Sequence, residues 1–312
     1  MPEAPVEAGT EVRRPAATLT AGVLLALVGV YLIWGSTYLA IRVVVTGGIP
    51  PLLGMGARFM VAGLLLGTVL RLRRGPGALR VTGAQLGAAA IVGTLLLGGG
   101  NGLVAVAEQR LPSGLAALLV STTPLWIVVL GAFVAQRPGL LPLAGTLVGF
   151  AGTVVLARPG ALGTIPWWWA ALVLVGTASW ATGSLYLRRR TRPADLFVSS
   201  AYQMALGGVA LLAGGLARGE ASDVHLGTVP ASAWWALLYL VTVGSLAGYT
   251  AFFYLLAKAP LQLATTYAYV NPVVAVLLGW LLLGEVASGA ELAGGALAVA
   301  GVAIVISTDR HH

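Results

Sequence analysis

The chain contains no cysteine, so it has no disulfide framework and no thiolate or cysteine–metal chemistry. Histidine is confined to His225, His311 and His312, and the last two sit in a polar C-terminal end that is either native tail or tag remnant. Charge is nearly as scarce. Only 9% of the 312 residues are Asp, Glu, Lys or Arg, where a soluble domain carries about a quarter. Hydrophobic residues make up 58% of the chain, with a mean hydropathy of +0.91. Such a chain is a polytopic membrane protein with little left over for a soluble domain. Gly98, Gly99 and Gly100 precede Asn101 with no Gly-Lys-Ser/Thr after them, so no phosphate loop and no ATP are implied. This glycine run reads as a hinge or an unwound point, or as tight packing. Paired carboxylates, a histidine cluster or a nucleophile with its base are missing at any one depth, which argues against an enzyme, and no cofactor or metal is called for.

What is present is a series of ten hydrophobic segments, roughly 20–45, 52–70, 83–106, 112–135, 140–157, 167–187, 194–217, 231–255, 260–283 and 287–306, each long enough to span a bilayer as a helix. Arg13 and Arg14 suggest a twin-arginine signal, but Pro15 follows directly, no small-residue cleavage site is evident and further spans follow, so the first segment is expected to stay. The formal net charge of +8 has a membrane explanation rather than a nucleic-acid one. With a cytoplasmic N-terminus, most basic residues fall inside: Arg71, Arg73, Arg74 and Arg80, then Arg188, Arg189, Arg190 and Arg192, then Lys258 and Arg310. Both termini are therefore expected in the cytoplasm, with the protein in the inner membrane. Trp167, Trp168 and Trp169, like Trp234 and Trp235, begin spans at the outer interface.

The segments repeat. Pro112 and Pro124 in the fourth have the spacing of Pro260 and Pro272 in the ninth. Trp34, Gly35, Ser36 and Thr37 answer Trp180, Ala181, Thr182 and Gly183, and Gly145 and Gly152 answer Gly294 and Gly301. Five segments per half is an odd number, so the second copy must enter the membrane from the opposite side. The expected fold is all-α, with ten transmembrane helices arranged as two inverted five-helix repeats around a central cavity. The expected units are a tail over 1–18, repeats over 19–158 and 159–307, and a tail over 308–312.

Together with Trp34 to Tyr38, Arg58 and Phe59, Pro112 to Gly114, and Tyr267 to Pro272, this layout resembles the drug/metabolite transporter superfamily, specifically its EamA-type members and their YedA-like branch. The resemblance spans nearly the whole chain and is specific for the family, not for a substrate. It implies a secondary transporter, with export as the direction, a cavity between the halves, and fourth and ninth helices that meet there. Importers and exchangers, such as vitamin or nucleotide-sugar carriers, belong to the same physical class; a non-transporting scaffold is the other alternative. The expected partners are the lipid bilayer and a small amphipathic molecule, and the chain acts as a monomer or homodimer.

Candidate site residues are polar or aromatic groups at one depth. Pro124 and Asn271–Pro272 fall near the middle of their segments, as do Trp34, Ser36 and Trp180, at ~1.5 Å of rise per residue. Tyr267 and Asn271 share a helix face at i and i+4, as a cavity wall or as hydrogen-bonding glue between helices. Trp34, Trp180 and Ser184 are open to the same two readings, and Tyr38, Asn101 and Thr122 join the candidate set. Arg58 is the one strongly charged residue within a segment, placed to meet a substrate carboxylate or to tie carbonyls of a neighbouring helix; Tyr202 is its repeat partner. Pro124 and Pro272 are candidate hinges and Glu108 a candidate gate, although a solvated helix end is the plainer reading for Glu108. With no Asp, Glu or His at mid-membrane, transport is expected to proceed without coupling through a carboxylate at that depth.

Overall fold

The computed structural model describes residues 20–133, 139–156, 164–189, 195–259 and 267–308. The N-terminal tail, the start of the ninth segment with Pro260, and His311 and His312 lie outside the described residues. All regular structure among the described residues is helical. The segments are α1 (Ala21–Thr46), α2 (Pro51–Arg74), α3 (Gly83–Ala107), α4 (Ser113–Ala132), α5 (Leu140–Leu156), α6 (Trp168–Arg189), α7 (Leu196–Ala217), α8 (Ala231–Tyr239, continuing through Leu240–Ala247 into Gly248–Lys258), α9 (Tyr267–Leu283) and α10 (Gly289–Thr308). Seven are long and apolar enough to cross a membrane, namely α1 to α4 and α6 to α8; α5, α9 and α10 carry the shorter apolar stretches Leu143–Leu156, Val270–Leu283 and Gly289–Ile304.

Four carboxylates among the described residues serve helix starts, where orphan N–H groups and the positive dipole end favour them. Asp195 caps α7, accepting from Phe197 N at 2.8 Å and Val198 N at 3.2 Å. Glu220, just after α7, caps α2 from across the chain, its Oε2 accepting from Leu52 N and Leu53 N at 3.0 Å each. Glu285, just after α9, does the same for α4, accepting from Ser113 N at 3.0 Å and Ser113 Oγ at 2.8 Å. Glu291 closes a reciprocal box with Ser288 at the start of α10.

Asp195 also pairs with Arg74 at the end of α2. Burial pushes its carboxyl up, but the Val198 N–H, the Arg74 guanidinium and the Phe197 N–H outweigh that and hold it below the ordinary aspartate value. This stabilisation is present above the ordinary aspartate range and is lost as pH falls through the lowered value. Asp195→Ala is expected to destabilise the protein by about 1 kcal/mol at neutral pH, mostly through the lost cap. The Arg74 side chain is 45% exposed, so its ion pair adds little. Melting temperatures of parent and variant, followed downward in pH, should converge.

Two helix pairs dock almost backbone to backbone. On α2 and α7, a Cβ on Gly63 would sit 2.7 Å from Ala201 O, and one on Gly208 would sit 2.8 Å from Gly56 O. On α5 and α10, a Cβ on Gly152 would sit 2.6 Å from Gly294 O. Around these pairs, α1 packs on α8 and α9, while α6 packs on α3 and α4. α4 and α9 touch directly. Exchanging α1–α5 for α6–α10 leaves this packing pattern unchanged.

Two features depart from the sequence reading. The glycine run in α3 is not unwound: Thr94–Gly102 is a π-helical stretch within a continuous rod, matched by Leu240–Ala247 in α8. A π turn widens the helix and frees carbonyls, and Ser179 Oγ of α6 donates to Leu95 O at 2.8 Å. The twin prolines also differ. α4 breaks at Ser121–Thr122, just before Pro124, whereas α9 runs on through Pro272.

Candidate functional site

Trp34, in the middle of α1, is the hub of an aromatic cluster. Its ring lies 5.5 Å from Tyr249 and 5.0 Å from Phe252, both on α8, and 4.9 Å from Tyr267 on α9. Phe252 and Tyr267 meet edge-to-face at 5.7 Å. Such pairs contribute about 0.5–1.5 kcal/mol beyond area burial. The indole fits because position 248 has no side chain: a Cβ there would lie 3.0 Å from Trp34 Cδ1. Trp180 on α6 repeats the arrangement against α3, where a Cβ on Gly100 would lie 2.8 Å from its ring.

Two residues along α1, Ser36 and Tyr239 of α8 share a hydrogen bond of 2.6 Å. Arg58 enters from α2. It is 3% exposed, donates from Nε to Ser245 Oγ at 3.1 Å in the π turn of α8, and lies 4.5 Å over the ring of Phe59. Tyr249, Tyr239 and, without forming an ion pair, Glu108 act on its charge. Among the described residues no carboxylate pairs with it. A buried guanidinium without a counter-ion is expensive unless something supplies one.

Asn271 comes in from α9. It is 6% exposed, and its Oδ1 has no hydrogen-bond partner. Its backbone carbonyl lies 3.4 Å from where a Cβ on Gly35 would be. Arg58 Nη2 lies 3.3 Å and Thr37 Cγ2 3.2 Å from the corresponding point on Gly244. Arg58 therefore approaches α1 at Thr37 from the α8 side, and the Asn271 backbone approaches it at Gly35 from α9.

The structure thus packs Trp34 against Tyr267, ties Ser36 to Tyr239 and Arg58 to Ser245 on the same helix α8, and brings Asn271 to α1 at Gly35. Tyr38 lies one turn further along α1, packed toward the segment that ends in Glu108. Trp180 of α6 packs on Gly100 in the π stretch of α3, with Asn101 the next residue, and borders the same core cluster as Tyr239 and Tyr249. Other candidates are occupied locally. Ser184 Oγ donates to Trp180 O at 2.8 Å. Thr122 is fully buried and donates to Leu119 O at 2.6 Å, one of three hydroxyls, with Ser121 and Thr123, that satisfy the carbonyls freed at the α4 break. Tyr202 reaches Leu79 O at 2.7 Å, in the α2–α3 connection, at the opposite end of α2 from Arg58. Pro124 sits at the break itself. Pro272 lines an apolar groove of about 500 Å³ with Leu118, Val276, Trp280 and Gly295, which none of the aromatic cluster borders. Glu108 is not a solvated helix end; it is completely buried.

Tyr239, Ser245, Tyr249 and Phe252 escaped sequence reading altogether. Their one signal was an unusual density of hydroxyls in an apolar segment. Counted at 3.6 residues per turn, Tyr239 falls off the face shared by Ser245, Tyr249 and Phe252, and the π turn between Tyr239 and Gly248 resets that register.

Seven apolar spans and a polar, aromatic cluster among the described residues, all of whose regular structure is helical, define a polytopic membrane protein. The chain belongs to the EamA-like transporter family, whose profile matches residues 20–158 and again 167–307. It is 41% identical over 91% of its length to the "Uncharacterized inner membrane transporter YedA" of Escherichia coli (strain K12), covering 89% of that protein. It is 31% identical to the "Probable terminal-alkyne amino-acid exporter" of Streptantibioticus cattleyicolor, over 90% of this chain and 92% of that one. A solved crystal structure, 25% identical, superposes with a TM-score of 0.61 over 93% of this chain and 98% of its own. The protein is a membrane transporter.

Proposed function

We propose that this transporter exports a small, amphipathic, amino acid-like compound across the cytoplasmic membrane by alternating access, with both termini in the cytoplasm. In this reading ten helices form two inverted repeats, 19–158 and 159–307, that rock about a central site, with the α4 break at Pro124 and the proline within α9, Pro272, as the compliant points. The observation that carries the substrate class is a pair of unmet groups. The buried Arg58 guanidinium lacks a carboxylate, and the buried Asn271 carbonyl lacks a donor. A carboxylate would answer Arg58 and an ammonium would answer Asn271, the two groups an amino acid-like compound carries, and the Trp34, Tyr249, Phe252 and Tyr267 rings suit an apolar side chain. The exporter name of a 31%-identical relative points the same way.

The test is flux of a panel of labelled amino acids into and out of proteoliposomes. At least one should move saturably, and Asn271→Leu should cut that flux about tenfold or more, the loss of one buried hydrogen bond, while the melting temperature holds. Saturable flux that is unchanged in Asn271→Leu removes that residue from the site, and a panel with no saturable member rejects the substrate class.

A further inference from the structure

Asp195, Glu220, Glu285 and Glu291 each sit at a helix N-terminus with donors in place. Glu108 is at the opposite kind of site. It follows Ala107 at the C-terminal end of α3, where the helix dipole disfavours an anion. It is 0% exposed, and neither Oε1 nor Oε2 has a hydrogen-bond partner. The nearest guanidinium does not serve it: Arg42 of α1 donates to the backbone carbonyl of Glu108 and, 3.9 Å away, faces the carboxylate of Glu285.

The charged and titratable groups around it come from several elements. Tyr38 and Arg42 face it from α1, Arg58 from α2 and Glu285 from the α9–α10 connection. Its own segment adds the exposed Arg110, and α6, packed on the same stretch, has no titratable residue before Tyr186 at its other end. Glu285 opposes a charge on Glu108; Arg42 and Arg58 favour one. In this arrangement an anion would lack donors, lack water and face a helix C-terminus, all of which select the neutral acid.

We propose that Glu108 is a proton-binding site that controls this end of the bundle. With the proton on, the end of α3 stays packed behind a latch in which Glu285 ties Arg42 of α1 to Ser113 and Gly114 at the start of α4. Loss of the proton to water leaves a carboxylate that competes with Glu285 for Arg42, and the latch opens. The proposal rests on the transporter reading only for its biological use; the switch itself is a property of the fold. It is compatible with the expectation of no coupling through a mid-membrane carboxylate, because the responsive carboxyl lies at a helix end.

The natural absence of cysteine permits a direct test on the full chain in lipid nanodiscs, where both faces are accessible. Leu111, 0% exposed beside the latch, is replaced by cysteine, and its reaction with a water-soluble maleimide is followed against pH. Each rate is normalised to Thr228→Cys in an exposed loop, which removes the intrinsic pH dependence of the thiol. The normalised rate should rise with pH, by up to about tenfold per unit for a single proton. Adding Glu108→Gln should make it low and flat, and Glu108→Asp should restore a slope. Replacing potassium by sodium at fixed pH should change nothing. A flat parent, a slope that survives Glu108→Gln, or a sodium response in place of a pH response would overturn the proposal. None of these outcomes depends on flux, so they leave the substrate assignment standing or falling separately.

Discussion

Gly208→Leu is expected to leave no folded protein. A Cβ at this position would lie 2.8 Å from Gly56 O and 2.9 Å from Met60 Cα, so the obstacle is the backbone of α2 rather than a side chain that can turn aside. Overpacking costs about 1–3 kcal/mol where neighbours can shift. Here α2 and α7 must separate, and the contacts among the buried Met55, Phe59, Met204 and Leu211 go with them. In a bilayer no hydrophobic force between helices compensates, because lipid is as apolar as the partner helix; close approach at small residues is what holds the pair. Size-exclusion profiles should show aggregate or no protein. Gly29→Leu supplies the contrast, since nothing lies within 4 Å of a Cβ there, and it should purify like the parent.

Arg58→Met is expected to reduce flux of a carboxylate-bearing substrate about 10- to 100-fold, the range for one charge-assisted hydrogen-bonded contact. The informative feature is the divergence from stability. A buried ion without a partner is a liability, and an apolar residue of similar length should leave the melting temperature unchanged or higher. A purely structural arginine would give the reverse, with lower stability and flux lost only in proportion to folded protein. Arg58→Lys should rescue partially, since a point charge replaces the planar fork that also donates to Ser245. Flux that survives Arg58→Met would remove the carboxylate contact from the proposal.

Membrane residence, the apolar segments and the family were legible from composition, length and a few short motifs, because the bilayer imposes its constraints on each segment separately. Trp34, Arg58, Tyr267 and Asn271 were legible as candidates for the same reason: a polar or bulky group in an apolar helix must find a partner. What each partner would be was not. Thr122 and Ser184 resemble ligand-binding hydroxyls, yet they satisfy carbonyls of their own helices. Tyr202 aligns with Arg58 in sequence but lies at the other end of α2.

The amino-acid order alone determined that this chain lives in a membrane, that its halves echo one another, and which few residues are out of place in hydrocarbon. Only the tertiary structure decided that α8 completes the aromatic cluster, that Glu220 and Glu285 cap helices some 170 residues away, and that Glu108 is sealed from solvent. The reason is that periodicity acts over one helical turn, whereas partnership depends on which helices come within a few ångströms. In this protein that is set by where two glycines face each other across the chain.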